Sequence, residues 1–481
     1  MKYEQVLLGA VFIPLAAAFI LPLVARVSLR LRNLLAFSSV LAACIFSFFM
    51  IPQVLSGNII QLKQQFGLGF NFVLVADGLA VFMACVSSLI SAIIIFYSFG
   101  YISHYENQNE YYSMVVLFLG AMMGLVFSGN LILLYLFWEI TAITSWRLIG
   151  FFREKKHVLY ADKAFLVTVF GALSMLIGFI SLYQQAGSFD LSVIREVLKV
   201  SPAADFALLL ILFGIFSKSA TLPFHTWLPD AGVAPSPVTA LLHAAILVKI
   251  GVYVFARLFL TAIPLSEFWH IAVLTVAGIS ALVSAGAALV ETDLKRLIAY
   301  STISQIGFIF LGLAVGNAMA VSGALLYILM HGLAKAGLFL CAGIIEQNTK
   351  SKDITKMGGL IATMPITAVS FLFCAFSVMG IPPFGGFFSK YLVFSGAASA
   401  APLWITFVFL AGAFLTILYL LRVFNLVFLG EARGNLAKEK SPTMVYSVFF
   451  LAMLSLLGGI LINYPYGFAQ AVVSNLSGII R

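Results

Sequence analysis

ILFGIFSKSATLPFHTWLPDAGVAPSPVTALLHAAILVKIGVYVFAR, residues 211–257, reads as two apolar helices interrupted by a proline-rich break. Lys218 is expected near the middle of the first helix, five residues before Pro223, and Lys249 deep in the second. A proline inside a helix leaves the carbonyl four residues earlier without its donor, which frees the carbonyl of Ser219 beside Lys218. A buried lysine, a loosened backbone and water-compatible residues at bilayer depth are what an ion or proton path requires. The plainer alternative is a kinked structural helix whose lysine pairs with a neighbour.

Working outward, the composition sets the class. Of 481 residues, 62% are hydrophobic and only 9% charged, with mean hydropathy +1.09. A soluble domain carries about a quarter charged residues, so the expected fold is an all-α polytopic membrane protein. The net charge of +9 does not indicate nucleic acid, because the basic residues sit in short loops between apolar spans, where they set topology. Cys44, Cys85, Cys341 and Cys374 fall in separate apolar spans with no CxxC pair. They read as small apolar fillers rather than a disulfide framework, an iron–sulfur site or a zinc site. The first apolar segment is followed by RVSLRLR instead of a small-residue cleavage site, so no cleavable signal peptide is expected.

A span needs about 20 apolar residues. Fourteen are expected, centred at 5–25, 33–53, 72–100, 112–128, 130–152, 161–184, 204–221, 235–260, 268–290, 296–316, 319–345, 360–380, 385–425 and 443–465. The stretch 360–430 is broken internally by Pro382, Pro383, Gly385 and Gly386, and reads as one discontinuous helix followed by a further span. No loop is long enough for a soluble domain, so residues 1–481 form one membrane domain. The loops after the odd-numbered spans hold fifteen Lys and Arg, from Arg26 to Lys440. The opposite face, with both termini, holds six: Lys2, Lys63, Arg195, Lys199, Arg257 and Arg481. That asymmetry puts the first set in the cytoplasm and both termini outside.

The other six cations are Arg147, Lys218, Lys249, Lys335, Lys390 and Arg422. A charge at mid-bilayer costs about 3 kcal/mol on insertion scales, so such residues face a cavity or a partner. Arg147 and Arg422 can snorkel to an interface; the four lysines have too much apolar sequence around them for all to do so. Glu139 is the only carboxylate in the middle of a span. Arg147, eight residues on, is about 12 Å away along a helix, so a partner on another helix is expected, with Lys218 the candidate. His331 and Lys335, four apart, share a helix face and can exchange protons near neutral pH; a hydrogen-bonded structural histidine is the alternative. His243 and Lys249, six apart, are offset around their helix, and His225 after the break caps or lines it. Pro382 and Pro383 strip donors from the carbonyls of Val378 and Met379, and Lys390 follows. One interrupted apolar helix in each half is a pointer to inverted repeats with an ion site at each break.

FWEITAIT, FSKSATLPFHTWLPDAGVAPSPVTALLHAA, ETDLKRLIAYSTISQIG, HGLAKAGLFL and IPPFGGFFSK, in this order within residues 70–430, resemble the antiporter-like subunits of respiratory complex I. The same family holds the large subunits of Mrp cation/proton antiporters and the membrane arms of energy-converting hydrogenases. The resemblance implies fourteen helices with inverted five-helix repeats over about 112–260 and 268–430, flanked by helices in 1–100 and 441–481. It implies a hydrophilic axis of proton-translocating residues at Glu139, Lys218, Lys249, His331, Lys335 and Lys390, with His243 and His225 as further path residues and breaks at Pro223, Pro382 and Pro383. Three features depart from the pattern. Arg147 stands where the family is usually apolar, and Lys390 stands where one complex I paralogue carries glutamate. The long lateral helix of the largest complex I subunit is not expected after the fourteenth span.

Three functions follow as expectations. The first is a proton-translocating subunit of a redox-driven complex, an oxidoreductase subunit with no redox or hydrolytic site and no cofactor of its own. Protons would enter near Lys218 and Lys249, pass His331 and Lys335, and leave beside Lys390. Antiporter-like paralogues, a redox arm and the lipid bilayer would be its partners, in a prokaryotic cell membrane. The second is a subunit of an Mrp-type sodium/proton antiporter with no redox partner. The third is a scaffold whose buried charges only hold helices together.

Overall fold

Asp77, Asn130, Asp293 and Asn317 each start a long helix by accepting a backbone N–H from the first turn, the usual work of a short polar side chain at that position. The computed structural model describes residues 2–65, 71–433, 438–439 and 441–476. Lys440 and Arg481 of the charge count lie outside them. The chain begins with α1 (Tyr3–Ala25), α2 (Leu29–Phe49) and the short α3 (Ile51–Leu55). Strands β1 (Ile60–Gln65) and β2 (Asn71–Ala76) then pair antiparallel, Ile60 opposite Ala76 and Gln65 opposite Asn71. The span expected from residue 72 therefore opens as a strand. Phe72, Val73 and Val75 favour a pleated surface, and Asp77 ends the strand by capping α4 (Gly78–Tyr101).

The first half continues with α5 (Gln108–Val126), α6 (Leu131–Ile149), α7 (Lys155–Ala186), α8 (Leu191–Leu198) and α9 (Asp205–Lys218), then the small helices α10 (Trp227–Asp230) and α11 (Ser236–Ala240) and the longer α12 (Leu247–Phe259). The second half holds α13 (Glu267–Val290), α14 (Leu294–Val315), α15 (Ala318–Thr349), α16 (Pro365–Met379), α17 (Gly385–Ala400), α18 (Leu403–Phe428), α19 (Pro442–Ile460) and α20 (Asn463–Ser474). Among the described residues, twelve helical stretches are long and apolar enough to cross a membrane. The helices before the two breaks, α9 with 14 residues and α16 with 15, extend about 21 and 22 Å. Each falls short of a bilayer core of about 30 Å. The stretch 385–425 is two helices, α17 and α18, divided at Ala401 and Pro402.

The two halves echo each other. α7 and α15 are both 32 residues long and start 163 positions apart (155 and 318). Asn130 bridges Asp190, and Asp293 bridges Asp353, at the same offset. α4, α12, α14 and α15 are buried on nearly all sides. α1, α2, α7 and α18 expose apolar stripes, with Phe19 71%, Leu166 66% and Phe414 62% exposed. Helices apolar all round suit the interior of such a bundle or its lipid face.

Several cations lie elsewhere than expected. Arg257, counted in an outer loop, is inside α12, buried against Asp77. Arg147 pairs with Glu110. Arg422 donates to the carbonyls of Leu289 and Glu291 at 2.7 and 3.0 Å, at the end of α13. Both therefore find protein partners.

Candidate functional site

The first break differs from a proline kink in mid-helix. α9 ends at Lys218, which is its last residue, and 219–226 is a run of turn. The backbone groups loosened there are taken up from a distance. The indole N–H of Trp227 donates to the Ser217 carbonyl at 3.0 Å, and Leu222 N–H donates to Ser280 Oγ of α13 at 3.1 Å. Lys218, fully buried, donates from Nζ to the Trp138 carbonyl at 3.1 Å and lies 5.1 Å from the centre of the Trp138 ring. The expected contact with Glu139 is absent: among the described residues no ion pair joins them. Glu139 follows Trp138 around α6 and points to the half-exposed side of that helix, where Leu136 and Ile143 are exposed. Its Oε1 is buried and has no hydrogen-bond partner among the described residues. His225 stays in the turn, half-buried, apart from the central set.

The helix after the break also departs from regular geometry. Residues 241–245 form a π turn in which Ile246 N–H donates to the Leu241 carbonyl at 2.9 Å. Such turns insert one extra residue and re-aim the side chains on either side. His243 sits in this turn, its ring 4.4 Å from that of Phe339, and Lys249 is the third residue of α12 beyond it. Among the described residues, Lys249 Nζ has no hydrogen-bond partner. It occupies the space a Cβ would need on Gly332, next to His331. Glycine is the residue that leaves this room.

α15 carries the middle of the site. Both ring nitrogens of His331 are buried without a hydrogen-bond partner among the described residues, and the titratable groups facing it are Lys249, Lys335, Lys390 and His243. Lys335 Nζ donates to the Ile298 carbonyl at 3.2 Å and to Ser301 Oγ at 2.5 Å. At the second break, Lys390 Nζ donates to the Val378 carbonyl at 2.7 Å, the carbonyl that Pro382 leaves without its helical donor. The same ammonium lies 5.3 and 5.8 Å from the ring centres of Phe308 and Tyr327. Lys249, His331, Lys335 and His243 are wholly buried and Lys390 is 5% exposed.

A polar network unforeseen from the sequence connects Lys335 to the neighbourhood of Lys390. Ser301 shares a hydrogen bond with Tyr419 at 2.6 Å. Gln305 Nε2 donates to Tyr419 and to Thr416, at 3.3 and 3.2 Å. Tyr327 donates to Gln305 Oε1 at 2.6 Å, and its ring faces Lys390. Ser301 and Gln305, four apart in the YSTISQIG motif, lie on one face of α14. That spacing was the available signal; the tyrosines on α15 and α18 had none, since each reads as an ordinary apolar-helix residue.

The family model for the NADH:quinone oxidoreductase/Mrp antiporter transmembrane region matches residues 128–416, which contain all of this site except Tyr419. The chain belongs to that family. A second model, complex I chain 5 N-terminus, matches residues 64–112. Among curated relatives of this antiporter family, Na(+)/H(+) antiporter subunit A1 of Staphylococcus haemolyticus is 36% identical over 501 residues, covering 96% of this chain and 62% of that protein. The subunit A1 of Staphylococcus aureus is 35% identical over 476 residues, covering 93% and 59%. The chain thus spans about three fifths of the length of these relatives. The same fold occurs in the Mrp complex from Dietzia sp. DQ12-45-1b (TM-score 0.89, 21% identity, 99% and 98% covered). It also occurs in the membrane-bound sulfane sulfur reductase, an archaeal respiratory membrane complex (TM-score 0.89, 22% identity, 99% and 100% covered). The expectation of an oxidoreductase subunit is corrected by these findings: the curated relatives are named as sodium/proton antiporter subunits. The motifs are common to both branches of the family, so the resemblance alone did not separate them.

Proposed function

We propose that the chain is a membrane subunit of a multisubunit sodium/proton antiporter and carries its proton path, without a redox arm or a cofactor of its own. Other membrane subunits of that assembly are its partners, in a cell membrane. The observation that carries the reading is the cluster of His331 with Lys249, Lys335, Lys390 and His243, all buried and with no carboxylate among them. A proton held on one of these groups raises the cost of holding one on the next. Such a cluster passes a proton along where a scaffold would pair each cation with an anion, as the protein does for Arg257 with Asp77 and Lys295 with Glu346. Protons move between Lys218 and Lys249, cross His331 and Lys335, and reach Lys390, with Ser301, Tyr419, Gln305 and Tyr327 lining the polar way between the last two lysines. Glu139, on the half-exposed side of α6, biases Lys218 by its charge rather than by contact. The two halves around α7 and α15 act as the inverted repeats, one break in each.

The test is a reconstituted complex in vesicles with no electron donor. A sodium gradient should drive proton movement, and Lys335→Ala should abolish it with the complex still assembled. Vesicles in which sodium moves no protons, but an electron donor does, would sink the antiporter reading. A Lys335→Ala complex that exchanges at the normal rate would reduce the cluster to scaffolding.

A further inference from the structure

Lys249, Tyr253 and Arg257 follow one another at four-residue spacing along α12. Residues four apart stand one above the other on a helix, so the three form a column about 12 Å long. It starts at the unpartnered Lys249 Nζ in the centre of the bundle. It ends at Arg257, where α4 begins. Arg257 is 6% exposed and held from both sides of its guanidinium by Asp77, Nη1 to Oδ2 at 2.5 Å and Nη2 to Oδ1 at 2.8 Å. Asp77 is itself fixed, since Oδ1 caps α4 by accepting Ala80 N–H at 2.9 Å. The third guanidinium edge, Nε, donates to the Tyr253 hydroxyl at 3.0 Å, and that hydroxyl donates to the Val126 carbonyl at the end of α5. The centre that this column leads from is polar. Ser87 and Ser91 of α4 are fully buried, their hydroxyls without a partner among the described residues, and Ile90 between them meets the same space at Gly332 that Lys249 fills.

We propose that Arg257, clamped by Asp77 and Tyr253, is a stopper that closes the Lys249 compartment at this end of the bundle against protons and cations. The proposal rests on the proton path described above. A guanidinium does not lose its proton in proteins and offers donors but no acceptor, so a proton cannot hop through it. Its fixed positive charge opposes an approaching cation, as arginines do in selective pores. Tyr253, the one hydroxyl between Arg257 and Lys249 in the column, gives its proton to Val126 and receives one from Arg257, so the hydrogen-bond chain along the column is interrupted. A proton on Lys249 then goes sideways to His331, and exchange stays coupled. Without the stopper the central lysine would have a direct way out, and a gradient would drain through it.

A purely structural clamp makes a different prediction, and a charge swap separates the two. The assembled complex carrying Arg257→Met, Asp77→Asn, or the double change Asp77→Arg with Arg257→Asp is reconstituted into vesicles without sodium. Proton entry under an imposed potassium diffusion potential is read with an internal pH dye. The stopper predicts that Arg257→Met and the swap admit protons severalfold faster than the unmodified complex, Asp77→Asn less so. It also predicts that adding Lys249→Leu to a leaky variant restores tightness. A tether predicts that the swap, which keeps opposite charges together, is as tight as the original. That result, a leak indifferent to Lys249→Leu, or loss of assembly in all three variants overturns the proposal. Sodium-driven exchange by the unmodified complex tests the antiporter reading separately, so leaky variants of a complex that exchanges no sodium would overturn that reading alone.

Discussion

Lys390 shows how one proline and one side chain make a site. Pro382 cannot donate to the Val378 carbonyl, and the Lys390 ammonium takes the place of that donor at 2.7 Å. The alternative roles of this lysine, a titrating group or a fixed cation, differ in which substitutions it tolerates. If it releases protons, Lys390→Arg should fail as Lys390→Ala does, each slowing sodium-driven proton movement by roughly 100-fold, because arginine keeps its proton. Lys390→Glu should keep part of the rate, since a protonated carboxyl can still donate to Val378 and its ionised form faces Lys335. Rates normalised to assembled complex give the comparison. Full activity in the arginine variant would take Lys390 out of the path. At Lys218 the sequence led to the correct neighbourhood and the wrong contact. The motif placed Glu139 and Lys218 near each other, but the direction in which Glu139 leaves α6 depends on which face of that helix the bundle covers.

The broken elements are held by groups far along the chain. At the first break, Trp227 supplies the donor for Ser217, one residue from Lys218. Trp227→Phe keeps a smaller aromatic ring and removes the N–H, leaving the Ser217 carbonyl only the long hydrogen bond from Ala220 N–H at 3.4 Å, at a cost of about 1 kcal/mol. The thermal midpoint of the assembled complex should fall, and sodium-driven exchange should fall with it, because Lys218 loses its fixed position over Trp138. An unchanged midpoint would mean that other contacts hold the break. At the second break the close approach is between backbones: a Cβ on Gly386 would run into the Ser377 carbonyl, so the start of α17 can pack against the end of α16 only with glycine there. The sequence pointed to both breaks through their prolines. It did not indicate the π turn at 241–245, since LLHAA has the composition of an ordinary buried helix.

For the whole molecule, the asymmetry of basic residues predicts which face is cytoplasmic. Lys155, exposed at the start of α7, belongs to the richer set of loops. All four native cysteines are buried, so a Lys155→Cys probe would report with little background. An impermeant thiol reagent added outside intact cells should leave it unlabelled and should label it in inverted vesicles. Labelling from outside alone would reverse the orientation. Sets of charges also tie distant parts together: Asp190 receives Lys63, Asn71 and Asn130 within 2.9 Å. Although burial pushes the Asp190 carboxyl up, these donors outweigh it and hold the group below the usual range, so this junction is strongest when Asp190 is ionised.

The sequence by itself determined the class, most of the spans, the two breaks and the central buried lysines and histidines. Each of these follows from local chemistry: an apolar run long enough to cross a bilayer, a proline without an N–H, a charge too far inside to reach water. The tertiary structure alone decided what each of those residues touches. Lys218 meets a carbonyl 80 positions away, Ser301 a tyrosine 118 away, and Arg257 an aspartate 180 away. A buried polar group has to find a partner or share a polar compartment, and in a bundle of helices that partner is supplied by packing, which the order of residues along one helix does not contain.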